Sequence, residues 1–215
     1  EAWTVMMPSI LCLYFDYPDL STSQVREILI PALVHEIGHG LEAGHSGSWQ
    51  CKGKGGSTPD LSNPKGGCTI AEYGDPWDIM GVANQPHKPF SAFRKEQFGW
   101  LKPAQTIIVT APGQYSIEAN TVQSKAGIKQ LKILVDDGYY SIEYRKEEAY
   151  DSWIDYPGIN GVLLRFIPDV GIESSWVDSL MPTYVSGTLM LNPGTIFFDP
   201  YRSISVTVGE KEDNQ

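Results

Sequence analysis

Residues 21–43 carry apolar side chains at helical spacing, with Val25, Ile28, Leu29, Ala32 and Leu33 following i, i+3, i+4. Ser21, Thr22 and Ser23 offer N-caps, and Gln24 stands three residues after Ser21, as in a capping box. Pro31 interrupts the pattern. A proline inside a helix costs about 3 kcal/mol. The segment therefore predicts either a helix kinked at Pro31 or one that starts with Pro31 as its first residue. Residues 46–72 have little periodicity and many glycines, and they predict a long loop bracketed by Cys51 and Cys68. A short helix is predicted over 90–99, bearing Phe90, Phe93 and Phe98 and ended by Gly99.

Beyond Pro103 the period changes to two. Leu131, Ile133 and Val135 alternate with polar or outward positions, Asp136-Asp137-Gly138 supplies a turn, and Tyr140, Ile142 and Tyr144 alternate on the return. Val162, Leu164 and Phe166 repeat the pattern, as do Ile204, Val206 and Val208. Further strands are expected at 105–110, 114–119, 187–191 and 195–199. Short strands separated by Gly, Pro and Asp turns predict a β-sandwich-like region over 104–209, followed by a charged tail that frays. The fold class expected is α+β, with an N-terminal part at 1–103 and an antiparallel β-sandwich-like part at 104–215.

Composition narrows the function. The chain has 215 residues, 41% of them hydrophobic and 20% charged, which excludes wholesale disorder. A net charge of −10 argues against a nucleic-acid partner and against docking on anionic lipid. No apolar run reaches the roughly 18–20 residues of a membrane span. The chain opens at Glu1 with no basic, apolar leader, which is expected of a trimmed chain or a fragment.

Histidine is scarce. There are four, and His35, His39 and His45 fall within eleven residues. On a helix His35 and His39 lie about 40° apart, one turn up the same face. Leu33, Val34, Ile37 and Leu41 lie on the opposite side, expected to face the core. Two such imidazoles can bind one Zn²⁺. His45 lies too far along to join them from the same helix, so the chain must break and turn back, with Gly44 helping. Three nitrogens leave a fourth tetrahedral position open, as in a catalytic site. Glu36, beside the first ligand, can take a proton from a metal-activated water and pass it to a leaving amine.

His35-Glu36-x-x-His39 followed by His45 resembles the metzincin zinc peptidases, whose motif is H-E-x-x-H-x-x-G-x-x-H with a later Met-turn. Glu-Tyr-Gly-Asp-Pro-Trp-Asp-Ile-Met-Gly at 72–81 is similar to that turn, with Met80 packed under the metal. The gametolysin (autolysin) group is the nearest likeness. It rests on His-Ser-Gly-Ser-Trp-Gln-Cys at 45–51, a loop closing at Cys68, Glu-Tyr-Gly-Asp at 72–75 and Phe-Gly-Trp-Leu at 98–101. The resemblance covers 30–101 and only loosely the β region. It implies a zincin-like catalytic part with its upstream sheet partly missing, Zn²⁺ held by His35, His39 and His45, and Glu36 as general base.

The chain departs from the family in three ways. Glu42 stands where the family has the glycine that turns the chain at positive φ, so Gly44 is expected to absorb the turn. Only 34 residues precede His35. No tyrosine closely follows Met80, so a tyrosine ligand there is not expected. Tyr73 reads as a core residue, with hydrogen bonding to an oxyanion as the alternative. His87 reads as a surface or structural residue, with a fourth ligand or a specificity pocket as the alternatives.

Cys51 and Cys68, if joined, close an 18-residue loop. Such a bridge contributes about 3 kcal/mol in the chain-entropy model; the alternative is two free thiols. A bridge implies an oxidising compartment, hence secretion. Cys12 is left over, either buried and free or paired with a segment upstream. Trp153, Tyr156 and Trp176 are candidates for stacking on sugars or, more simply, for packing on their own domain. The function expected is a secreted zinc endopeptidase acting on protein or peptide substrates. Its rivals are a weakly active or inactive binding or adhesion protein that retains the metal, and a zinc hydrolase of non-peptide amides.

Overall fold

The computed structural model describes residues 21, 23, 29–51, 68–81, 88–124, 126–148, 151, 160–169, 177–183, 190–199 and 202–210. Cys12, His87, Trp153, Tyr156 and Trp176 lie outside them.

The fold is mixed α/β, rich in sheet and poor in helix. Helix α1 spans Ile30–Gly40 and α2 spans Ala92–Gln97. Strands β1 (His45–Cys51), β2 (Cys68–Ala71), β3 (Thr106–Ile108), β4 (Gln130–Val135), β5 (Gly138–Lys146), β6 (Asn160–Pro168) and β7 (Val177–Thr183) hydrogen-bond in the order β2-β1-β7-β6-β5-β4-β3. A short β8 (Met190–Leu191) also pairs with β6, making eight strands. The pairs β1/β7 and β3/β4 are parallel and the others antiparallel. A separate ribbon joins β9 (Ile196–Asp199) to β10 (Ile204–Thr207). No helix among the described residues is long and apolar enough to cross a membrane.

Pro31 sits in the first turn of α1, where its missing N–H has no intrahelical partner to lose. The apolar face expected to enter the core does so only in part: Val34 packs against the cluster around Met80 and Ile37 is half-buried, but Leu33 and Leu41 are 37% and 39% exposed, while Pro31, His35 and Gly38 are the buried positions. The cause is Gly38. A Cβ there would overlap Met80 Sδ, so the glycine lets the fully buried Met80 lie against the helix on its imidazole side. Ala43, Ile79 and Phe90 complete that cluster.

The loop expected at 46–72 is also corrected at both ends. Residues 45–51 and 68–71 form β1 and β2, because β7 and the two segments themselves satisfy their backbone groups. The sheet thereby crosses residue 103 and joins strands from both sides of the expected boundary. Conversely, 114–119 forms no strand; Ala119 makes one isolated bridge to Tyr144.

The β4–β5 hairpin turns at 136–137, with Leu131 opposite Ile142 and Ile133 opposite Tyr140. One face of the central strands gathers Tyr140, Ile142, Leu164 and Phe166 with Trp49, Leu180 and Phe197. Phe197 brings the β9–β10 ribbon onto this face, its ring 5.6 Å from Tyr140. The alternate positions, expected outward, are buried as well: Ser141, Glu143, Arg145 and Arg165. Residues 75–81 and α2 cover Glu143, Arg145 and Arg165, while Ser141 accepts from Gln130 Nε2 at 3.0 Å. Arg145 Nη1 donates to Trp77 O at 3.0 Å, Arg165 Nε to Asp75 Oδ2 at 2.6 Å, and the Ala92 N–H to Glu143 Oε2 at 2.7 Å. Breaking one partner out of such a buried ionic set typically costs about 3–5 kcal/mol. The turn that carries Met80 is therefore tied firmly to the sheet.

Candidate metal centre

Helix α1 delivers His35 and His39, and its C-terminus solves the problem of bringing in His45. The Glu42 N–H donates to His39 O and the Ala43 N–H to Gly38 O, both at 3.0 Å, the two bonds of a Schellman cap. Glu42 occupies the left-handed position of that cap at φ 67°. The turn expected at Gly44 is thus made by Glu42, at a cost of about 1–2 kcal/mol for a residue with a Cβ. Gly44 is held by its peptide groups: its N–H donates to Asp178 Oδ2 at 2.7 Å and its carbonyl accepts from Arg94 Nη2 at 2.6 Å. Arg94 in turn pairs with Asp178. His45 then opens β1, opposite Val177.

The turn beneath is built by two aspartates. Asp75 Oδ1 accepts the Trp77 N–H at 2.8 Å, and Asp78 Oδ1 accepts the Met80 N–H at 2.9 Å. Burial pushes both carboxyls up. For Asp78 the guanidinium groups of Arg94 and Arg165 outweigh burial and hold it below the usual range; for Asp75 burial prevails over Arg165. Met80 O accepts the Ser46 N–H at 2.8 Å, locking this turn to the strand that starts with His45.

The three imidazoles converge. Their ring centroids lie 4.8, 4.9 and 5.5 Å apart, and one nitrogen from each can be chosen so that all lie within 4.8 Å of one another. Each Nδ1 has a fixed oxygen acceptor: Ile79 O for His35 at 2.8 Å, Ala43 O for His39 at 2.8 Å, and Glu72 Oε1 for His45 at 2.7 Å. The carbonyl oxygens only accept, so Nδ1 of His35 and His39 carries the proton; the Glu72 carboxylate imposes the same tautomer on His45. In the neutral rings all three Nε2 atoms keep their lone pairs, the arrangement a metal ion requires. Burial lowers the pKa of His35, opposed by its bond to Ile79 O, so it favours the neutral form that ligates. The three histidines can hold one metal ion, and among the described residues no fourth His, Cys, Asp or Glu joins the group.

Glu36 is half-buried and follows His35; its charge acts on both His35 and Tyr73. Tyr73 is not the core residue expected. It is 46% exposed, with its ring 4.2 Å from that of His45. Burial of the phenol, then the Glu72 and Glu36 carboxylates, raise its pKa and keep it a hydrogen-bond donor. Cys51 and Cys68 stand directly opposite each other in the β1/β2 register; their side chains lie outside the described residues.

Sequence reasoning assigned no role to Glu72, Arg94 or Asp178. Glu72 lay within a quoted motif, but its partner is 27 residues away. Arg94 and Asp178 meet across 84 residues, a pairing without any local signal. The site therefore stands on its own geometry: no family model, no curated protein and no solved structure matches the chain.

Proposed function

We propose that the protein is a secreted zinc-dependent endopeptidase of the metzincin kind, hydrolysing peptide bonds with a water that Glu36 deprotonates. One observation carries the reading. All three imidazoles have Nδ1 engaged by an oxygen, so three Nε2 lone pairs are available together, and a carboxylate follows the first of them in sequence. A set of three imidazoles suits zinc, and a site with three protein ligands keeps a position for substrate or water. Zinc held there supplies a Lewis acid that polarises a carbonyl and acidifies water.

The protein's own groups do the rest. Glu36 accepts a proton from the attacking water as its oxygen bonds to the carbonyl carbon. Tyr73, protonated and beside His45, donates to the oxygen on which negative charge develops. As the C–N bond breaks, Glu36 returns the proton to the leaving amine. The opposed positions of Cys51 and Cys68 support a bridge between them, and with it an oxidising compartment.

The test is Glu36→Gln, which keeps the side chain's size and removes its basicity. The variant should retain its metal and lose about 10²–10⁴ in peptide turnover. Near-normal turnover in the variant would overturn the assignment of the base. A zinc-loaded wild-type chain that cleaves no member of a peptide library would favour the binding-protein reading.

A further inference from the structure

The segment that carries the chain from His39 to His45 has all three of its carbonyls taken. Glu42 O accepts from Gln97 Nε2 at 2.9 Å, Ala43 O from His39 Nδ1 at 2.8 Å and Gly44 O from Arg94 Nη2 at 2.6 Å. Arg94 and Gln97 stand three residues apart on α2 and so share a face; Arg94 Nη1 donates to Gln97 Oε1 at 3.0 Å. The Gly44 N–H donates to Asp178 Oδ2 at 2.7 Å. The Asp178 carboxylate closes the ring by accepting from both terminal nitrogens of Arg94. One two-bonded ion pair, of the geometrically specific kind, therefore holds both backbone groups of the residue before His45.

Strand β7 is shaped for this contact. Its register with β1 passes from Val177 opposite His45 to Ser179 opposite Ser46, skipping Asp178. A residue left unpaired in this way forms a bulge, which re-aims its side chain. Here the carboxylate meets the Gly44 N–H, 134 residues earlier in the chain. His35 and His39 have local support instead. One helix carries both, and the cap bond from the Ala43 N–H to Gly38 O sets the carbonyl behind His39. His45 lies beyond the cap, and the Gly44 peptide sets its approach.

We infer that Arg94 and Asp178 are positioning residues for the metal centre: through the Gly44 peptide they place His45, so that β7, far along the chain, completes a site whose three ligands all lie within residues 35–45. The inference rests on the reading of the three histidines as a metal centre. The pair acts through the main chain and not as a ligand. Arg94 is fully buried and Asp178 is 35% exposed, which makes Asp178 the residue to vary.

Two measurements on the full chain test it: Zn²⁺ affinity by chelator competition, and the visible spectrum of the Co²⁺-loaded protein. They are made on the wild type, Asp178→Ala, His45→Ala and the double variant. Asp178→Ala should weaken Zn²⁺ by about 10–100-fold, as loss of a group that orients a ligand does, and should move the Co²⁺ bands toward those of His45→Ala. In the double variant Asp178→Ala should cost no more than about twofold beyond His45→Ala, because the ligand it positions is already gone. Asp137→Ala, which breaks the ion pair with Arg202 at the β4–β5 turn, should leave both readouts unchanged. Wild-type affinity in Asp178→Ala beside a weakened His45→Ala would overturn this inference alone. So would an equal loss with and without His45, since a general loosening of the fold acts independently of the ligand. A wild type that binds no Zn²⁺, or wild-type affinity in His45→Ala, would overturn the reading of the histidines and the inference with it. If Asp178→Ala does not fold, Asp178→Asn, which keeps the side chain's size and one oxygen, takes its place in the same cycle, and the loss must again vanish when His45 is absent.

Discussion

The Nδ1–H of His45 donates to the Glu72 carboxylate at 2.7 Å, and Glu72 is the only side chain among the three acceptors behind the histidines. His35 and His39 use main-chain carbonyls, which no substitution removes. Carboxylate partners of this kind orient a ligand and raise its basicity.

Glu72→Ala should therefore weaken metal binding by about 10–100-fold, the usual worth of an outer partner, while the fold is retained because the Glu72 side chain is 43% exposed. Competition with a graded series of chelators, followed by elemental analysis, measures this. Wild-type affinity in the variant would mean that His45 is oriented by its strand alone.

Glu42 holds a left-handed cap position at φ 67°. Replacing it with glycine removes a backbone cost of about 1–2 kcal/mol but adds about 0.5–1 kcal/mol of freedom in the unfolded chain. The net expectation for Glu42→Gly is a gain of about 0.5–1 kcal/mol, read by denaturant unfolding. A loss of stability would show that the Glu42 side chain, rather than its backbone, anchors the cap. Its carbonyl already accepts from Gln97 Nε2 at 2.9 Å, a bond that glycine retains.

Cys51 and Cys68 are register partners in an antiparallel pair. Opposed residues in such ladders have Cα atoms about 4.5–5.5 Å apart, within the usual disulfide range. A non-reduced digest should yield one cross-linked peptide joining them. Serine at both positions should lower stability by roughly 2–4 kcal/mol. Reaction of both thiols with an alkylating reagent in the native, unreduced protein would remove the bridge from consideration.

The sequence by itself determined the features whose geometry is local. Four residues along a helix are one turn, so His35 and His39 share a face wherever the helix packs. The hairpin at 136–137 follows from turn chemistry, and proline's missing donor suits Pro31 to the first turn of α1, which begins at Ile30. Gly99, at φ 73°, ends α2 for an equally local reason.

Tertiary structure decided everything that depended on what covers a face. Glu143 and Arg145 alternate with apolar residues as outward positions would, yet they are buried, because the Met80 turn and α2 close over them and supply partners. Residues 45–51 and 68–71 have no strand pattern, since their pairing comes from β7, more than a hundred residues on, and from each other. Leu33 and Leu41 lost the core to His35 and Gly38 because steric room at a single glycine admits Met80 on that side. The orientation of the three imidazoles depends likewise on oxygens of Ile79, Ala43 and Glu72. A motif records which side chains stand at ligand spacing, but acceptors brought from distant turns set which nitrogen each one presents.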